Sequence, residues 1–103
     1  MSVDSFAEIG YGVMVESAGE AVYGEPEDGA VVIAFGWVDN PTAFAVVAER
    51  SWTSADVDCD PTLVSAAHFD VKTAWVAKVS AYVKKYKLKA LTDPKWVLGV
   101  TQR

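Results

Sequence analysis

The chain has 103 residues, 51% of them apolar and 12% aromatic, with a net charge of −5, which suits one hydrophobic core and excludes both a second domain and a disordered tract. One cysteine, Cys59, excludes an internal disulfide. Met1 to Ser5 carries neither the basic nor the apolar part of a signal peptide, and no apolar run approaches the ~20 residues of a membrane span. These features predict a single domain over 1–103 in the cytoplasm.

Tyr11 to Ser17 alternates Val13 and Val15 with smaller or polar residues and reads as a strand. Ala18-Gly19 offers a turn, after which Glu20 to Tyr23 returns as a short partner strand, and Glu25 to Gly29 is a polar loop. Ala30 to Val38 and Ala43 to Thr53 are apolar runs joined by Asp39-Asn40-Pro41-Thr42, which predicts an antiparallel hairpin. With a four-residue loop, Trp37 faces Phe44, Phe35 faces Val46 and Ile33 faces Ala48. The opposite face, with Val32, Ala34, Gly36, Ala45 and Val47, is also apolar.

Asp56 to Cys59 reads as a loop, and Asp60-Pro61 as a helix start with aspartate as N-cap. Val64, Ala67, Val71, Trp75, Val79, Tyr82 and Tyr86 then recur at helical spacing. An unbroken helix to Lys87 would span roughly 40 Å, so a break is expected near His68-Phe69-Asp70, with Asp70 capping the longer piece. Thr92-Asp93-Pro94 resets the chain before a last strand, Lys95 to Thr101. The fold class is therefore α+β: an antiparallel sheet of four to five strands, packed on one face by a C-terminal-half helix and followed by a final strand. One helix covers one sheet face, yet the hairpin is apolar on both. The second face must meet the Met1 to Ile9 segment, another copy of the chain or a foreign partner.

Charge divides the chain. Residues 1–60 hold twelve acids and only Arg50 as a base, a net −11; residues 61–103 carry a net +6. Either the basic helix packs beside the acidic strands, or the asymmetry steers a partner. Enzyme motifs are missing. Cys59 and His68 form the one conceivable nucleophile–base pair, but a lone cysteine is ordinarily inert. Asp56-x-Asp58-x-Asp60 starts like a calcium loop, but Pro61 stands where its glycine belongs and Ala67 where its last glutamate belongs. Zinc would need more cysteine and histidine. Gly10-x-Gly12 lacks the third glycine and the following helix of a dinucleotide site. No catalytic residue, metal or cofactor is expected.

The opening strand Ile9-Gly10-Tyr11-Gly12-Val13 and the closing strand Pro94-Lys95-Trp96-Val97-Leu98 resemble those of small accessory proteins of tailed bacteriophages, although Val97 replaces the aromatic usual there. The resemblance implies a phage origin and a place in the host cytoplasm. Members of that group with understood roles bind and redirect host or anti-phage machinery, and the likeness transfers no functional residue.

The leading expectation is a small intracellular interaction protein that binds a host or defence protein. Trp37 and Trp75 fit the core patterns, whereas Trp52 and Trp96, at strand ends, are candidate exposed anchors alongside Val32 and Val47 of the hairpin. In a sharper variant the acidic first part imitates nucleic acid. One alternative is direct nucleic-acid binding by Lys84, Lys85, Lys87 and Lys89. The other is a structural homodimer.

Overall fold

The computed structural model describes residues 5–37, 39–56 and 61–102. Five strands, β1 (Ser5–Val15), β2 (Ala30–Trp37), β3 (Asn40–Ala48), β4 (Thr53–Asp56) and β5 (Lys95–Gln102), and one helix, α1 (Thr73–Lys85), give the expected α+β fold. The strand order is β3-β2-β5-β1-β4, and β1 also pairs with β3. The ladders are antiparallel, and a single parallel bridge, Gly36 opposite Thr101, joins β2 to β5. The pairings β1–β3–β2–β5–β1 return to their start, so the sheet closes on itself as a roll.

β1 makes the closure. Along one edge it pairs with β5 from Ser5 to Gly12. Along the other it pairs with β4 from Phe6 to Ile9, then with β3 from Gly12 to Val15. Where it crosses to β3 the backbones almost touch: a Cβ on Gly12 would lie 1.8 Å from the Val46 carbonyl oxygen. Across the roll, a Cβ on Gly99 would lie 2.6 Å from the Phe35 ring. Only glycine permits either approach.

Closure answers the question of the second apolar face. Val31, Ile33, Phe35, Ala45 and Val47 form one core inside the roll, joined by Met14, Trp52 and Val97. Val13, Val15, Val32, Val46 and Ala48 form another against Trp75, Val79 and Tyr82 of α1. No partner is needed to bury either hairpin face. Val32 and Val47 are completely buried, which corrects their assignment as partner contacts.

The hairpin register differs from expectation. Phe35 pairs with Ala43, Ile33 with Ala45 and Val32 with Val46, and Trp37 sits opposite Asn40. The connection is tighter than the four residues expected, and the pairing slips by three. An odd slip exchanges the faces of one strand relative to the other. Phe44 therefore joins the helix-side core while Phe35 lies within the roll.

The helix starts later than expected. Pro61 to Lys72 is exposed apart from a half-buried His68, and non-helical except for a 3₁₀ turn at Ala66–Phe69. Asp70 is no cap: the N-cap of α1 is Lys72, with no side-chain bond. From Trp75 onward the apolar stripe holds, burying Trp75, Val79 and Tyr82. Glu20 to Tyr23 forms no strand, and Tyr23 makes one isolated bridge to Val32. Asp56 belongs to β4, while the remainder of its expected loop, Val57 to Cys59, lies outside the described residues.

Candidate functional site

Successive residues of a strand point to opposite faces. On β1 this sends Tyr11, Val13 and Val15 toward α1 and Met14 into the roll. Glu8 lies in step with Met14 and is only 1% exposed. A buried carboxylate requires hydrogen-bond donors, and three come from the surrounding elements. Ser54, directly opposite on β4, donates its hydroxyl to Oε1 at 2.9 Å. Thr101 of β5 donates to the same oxygen at 3.0 Å. The indole N–H of Trp52 donates to Oε2.

Above Glu8 lies a pocket of about 310 Å³, lined also by Tyr23, Trp37, Pro41, Trp52 and Gln102. This is the lower end of the size range of small-ligand sites. Trp37, at the end of β2, is 65% exposed, and Tyr23 is half exposed with its ring 5.6 Å from Phe44. The Gln102 Oε1 is buried with no hydrogen-bond partner. Among the described residues, no lysine, arginine, histidine or cysteine lines the pocket. The site is thus an aromatic-rimmed hollow with the hydrogen-bonded Glu8 carboxylate buried in its lining.

The tryptophan roles are redistributed. Trp96 is no free anchor: its ring packs among Tyr11, His68, Phe69 and Trp75, with centroids 5.0 to 6.1 Å away. Trp52 is half-buried and tied to Glu8. Trp75 is in the core as expected, whereas Trp37, expected there too, is the exposed one. The slipped hairpin places it at the strand end beside the turn. Glu8 went unnoticed among twelve acids. Extending the β1 alternation backward from Met14 through Gly12 and Gly10 would have placed it on the inward face.

The lysines are partly spent on the acids. The Lys85 Nζ lies 2.6 Å from Glu27 and 3.6 Å from Asp28, and Lys89 lies 3.5 Å from Glu16. The Lys85 ammonium, then the Tyr86 hydroxyl, hold the Glu27 carboxyl below its usual value. The same contacts raise Lys85 and Tyr86, the bond to Glu27 leading in each case. Lys84 and Lys87 remain exposed. Acidic and basic parts therefore meet across the 27–28 turn and the end of α1. Glu8 is buried and so takes no part in any acidic surface.

The Nε2 of His68 lies 2.8 Å from the Ser51 carbonyl oxygen and 3.3 Å from the Thr53 hydroxyl. Cys59, Asp58 and Asp60 lie outside the described residues. Among the described residues no three histidine, cysteine or acidic side chains gather closely enough to hold a metal. No described helix is long and apolar enough to cross a membrane. No family model, curated protein or solved structure matches the chain.

Proposed function

We propose that the protein is a small interaction module that docks a protein partner at the end of the roll where Trp37 stands exposed. The observation that carries this reading is the 65% exposure of Trp37 at the rim of a pocket with a buried carboxylate. Tryptophan in a partly desolvated setting is the residue type on which interfaces most depend. The pocket presents the aromatic rings of Tyr23, Trp37 and Trp52, a lining suited to recognition. The terminal-strand resemblance supports a phage setting, in which the partner is a host or defence protein of the bacterial cytoplasm.

A photo-crosslinking amino acid at position 37, in protein expressed in bacterial cells, tests this, with position 84 as the control. The expected result is a protein adduct at 37 and none at 84. Adducts only at 84, abolished by nuclease, would replace the reading with nucleic-acid binding by the lysines.

A second reading, self-association, has its own observation. Leu98 is 73% exposed and Val100 about half exposed, in register with Ile9 and Ala7 of β1. This apolar strip suits a second copy of the chain. Light scattering on the wild type and Leu98→Ser separates the two readings: a dimer lost in the variant supports self-association, and a monomer in both removes it.

A further inference from the structure

Resting on the docking site proposed above, we infer that the pocket takes a proline-rich segment of the partner, in polyproline II conformation, with a basic residue beside it. Both oxygens of Glu8 are already bonded, one to Ser54 and Thr101 and the other to Trp52, and the residue is 1% exposed. The Gln102 Oε1 is buried and shut off from a ligand. An N–H group entering the pocket therefore gives up water and finds no carboxylate or amide side chain of the described lining in return. What the lining does offer is ring faces and a donor. Trp37 is 65% and Tyr23 50% exposed, with Trp52 and Pro41 half-buried in the same wall. The Trp37 indole N–H has no hydrogen-bond partner among the described residues.

A matching ligand is apolar, accepts hydrogen bonds and donates none. In a polypeptide, proline alone meets all three conditions: it has a carbonyl acceptor and no N–H, and its ring packs on aromatic faces. A run of prolines is already extended as a polyproline II helix, so little ordering is left to pay for on docking, and every third residue falls on one face. An α-helix, ~10–12 Å across with its side chains, is too broad to enter a hollow of about 310 Å³. Charge decides what stands beside the prolines. Asp39 lies in sequence between the lining residues Trp37 and Pro41, Glu25 follows the lining residue Gly24, and both acids are exposed. They favour a lysine or arginine next to the prolines.

The test is a titration of ¹⁵N-labelled protein, followed through the tryptophan indole resonances. The probes are a capped peptide of repeated Pro-Pro-Ala with an arginine at each end, the same peptide with every proline replaced by alanine, the same peptide with citrulline for arginine, and N-methylbenzamide as a small flat amide. The proline peptide is expected to shift the Trp37 indole signal and to saturate, while the alanine peptide does neither. Trp37→Phe keeps a ring but removes the donor, and should weaken binding ~2–10-fold, the scale of one hydrogen bond. Trp37→Ala should weaken it further. Asp39→Asn with Glu25→Gln should weaken the arginine-ended peptide at low salt and leave the citrulline-ended one unchanged. All these positions are exposed, and each variant must retain the wild-type amide spectrum.

Equal binding of the proline and alanine peptides, or no Trp37 shift with either, would overturn the inference. Undiminished affinity in Trp37→Ala would overturn it too. N-methylbenzamide binding more tightly than the proline peptide would make this a small-molecule site and remove the peptide from it. If position 37 crosslinks to a protein while the proline peptide stays silent, the docking surface stands and the proline assignment fails alone. Proline-peptide binding without a crosslink at 37 would uphold the chemistry of the site and remove the bacterial partner.

Discussion

The indole N–H of Trp52 donates to the carboxylate of Glu8, tying the turn after β3 to the middle of β1 across 44 residues of sequence. With Ser54 and Thr101 on the other oxygen, the carboxylate connects three strands at the floor of the pocket. Glu8→Gln preserves the volume but places an amide NH₂ against either the indole or the two hydroxyls. The variant should lose about 1–3 kcal/mol of stability in urea denaturation. Wild-type stability would show that the network contributes nothing measurable.

Ser51 tests the point where β1 changes partners. Its buried hydroxyl accepts from the Tyr11 amide at 2.8 Å and donates to the Ala48 carbonyl at 2.7 Å. Tyr11 lies between the residues paired to β4 and those paired to β3, so the hydroxyl replaces a strand partner. Ser51→Ala leaves both backbone groups without it. A loss of roughly 1–3 kcal/mol is expected, together with faster hydrogen exchange of the Tyr11 amide.

The Glu27 contacts give stability a pH dependence. Because the folded carboxyl titrates below its usual 4.5, its contribution is present above that value and is lost as pH falls through the lowered one. Glu27→Gln should be less stable than wild type at pH 7, and the gap should close on acidification. Lys85 and Tyr86 are raised, so their contribution is present below their usual values of 10.5 and 10.0. It is lost as pH rises through the higher folded ones. Parallel melts of the two proteins from acid to alkaline pH check both limbs, and a constant gap would refute the coupling.

Lys87 ends the helix with φ of +55°, while the Leu88 amide reaches back to the Val83 carbonyl at 2.9 Å. Glycine normally fills this left-handed position. A side chain there costs roughly 1–2 kcal/mol, and glycine gives back part of the gain through its freer unfolded chain. Lys87→Gly should therefore raise stability by somewhat under ~1 kcal/mol. A drop in the denaturation midpoint would show that the lysine makes a contact of greater weight.

How much of this was legible follows from what each signal depends on. The alternation of Val13 with Val15 and the Trp75, Val79, Tyr82 stripe are local patterns, and they survive as β1 and α1. Val64, Ala67 and Val71 continued the helical spacing upstream, but that segment packs only through His68 and Phe69 against Trp96, and Leu63 is 95% exposed. The hairpin register hung on one turn length, so one misjudged loop displaced Phe35, Phe44 and Trp37 together. The pocket was illegible for another reason. Glu8, Trp52 and Gln102 come from distant parts of the chain, and only the closure at Gly12 and Gly99 brings them into one wall.

The placement of β1 also bears on synthesis. The first strand pairs along eight residues with the last, Ser5 opposite Gln102 through Gly12 opposite Lys95. A growing chain therefore holds β1 unpaired on that edge until β5 has been made. Closure of that edge waits on β5, and such long-range pairing carries the loop-closure cost before any contact repays it. Loss of β5 would leave the β1 edge open to other chains.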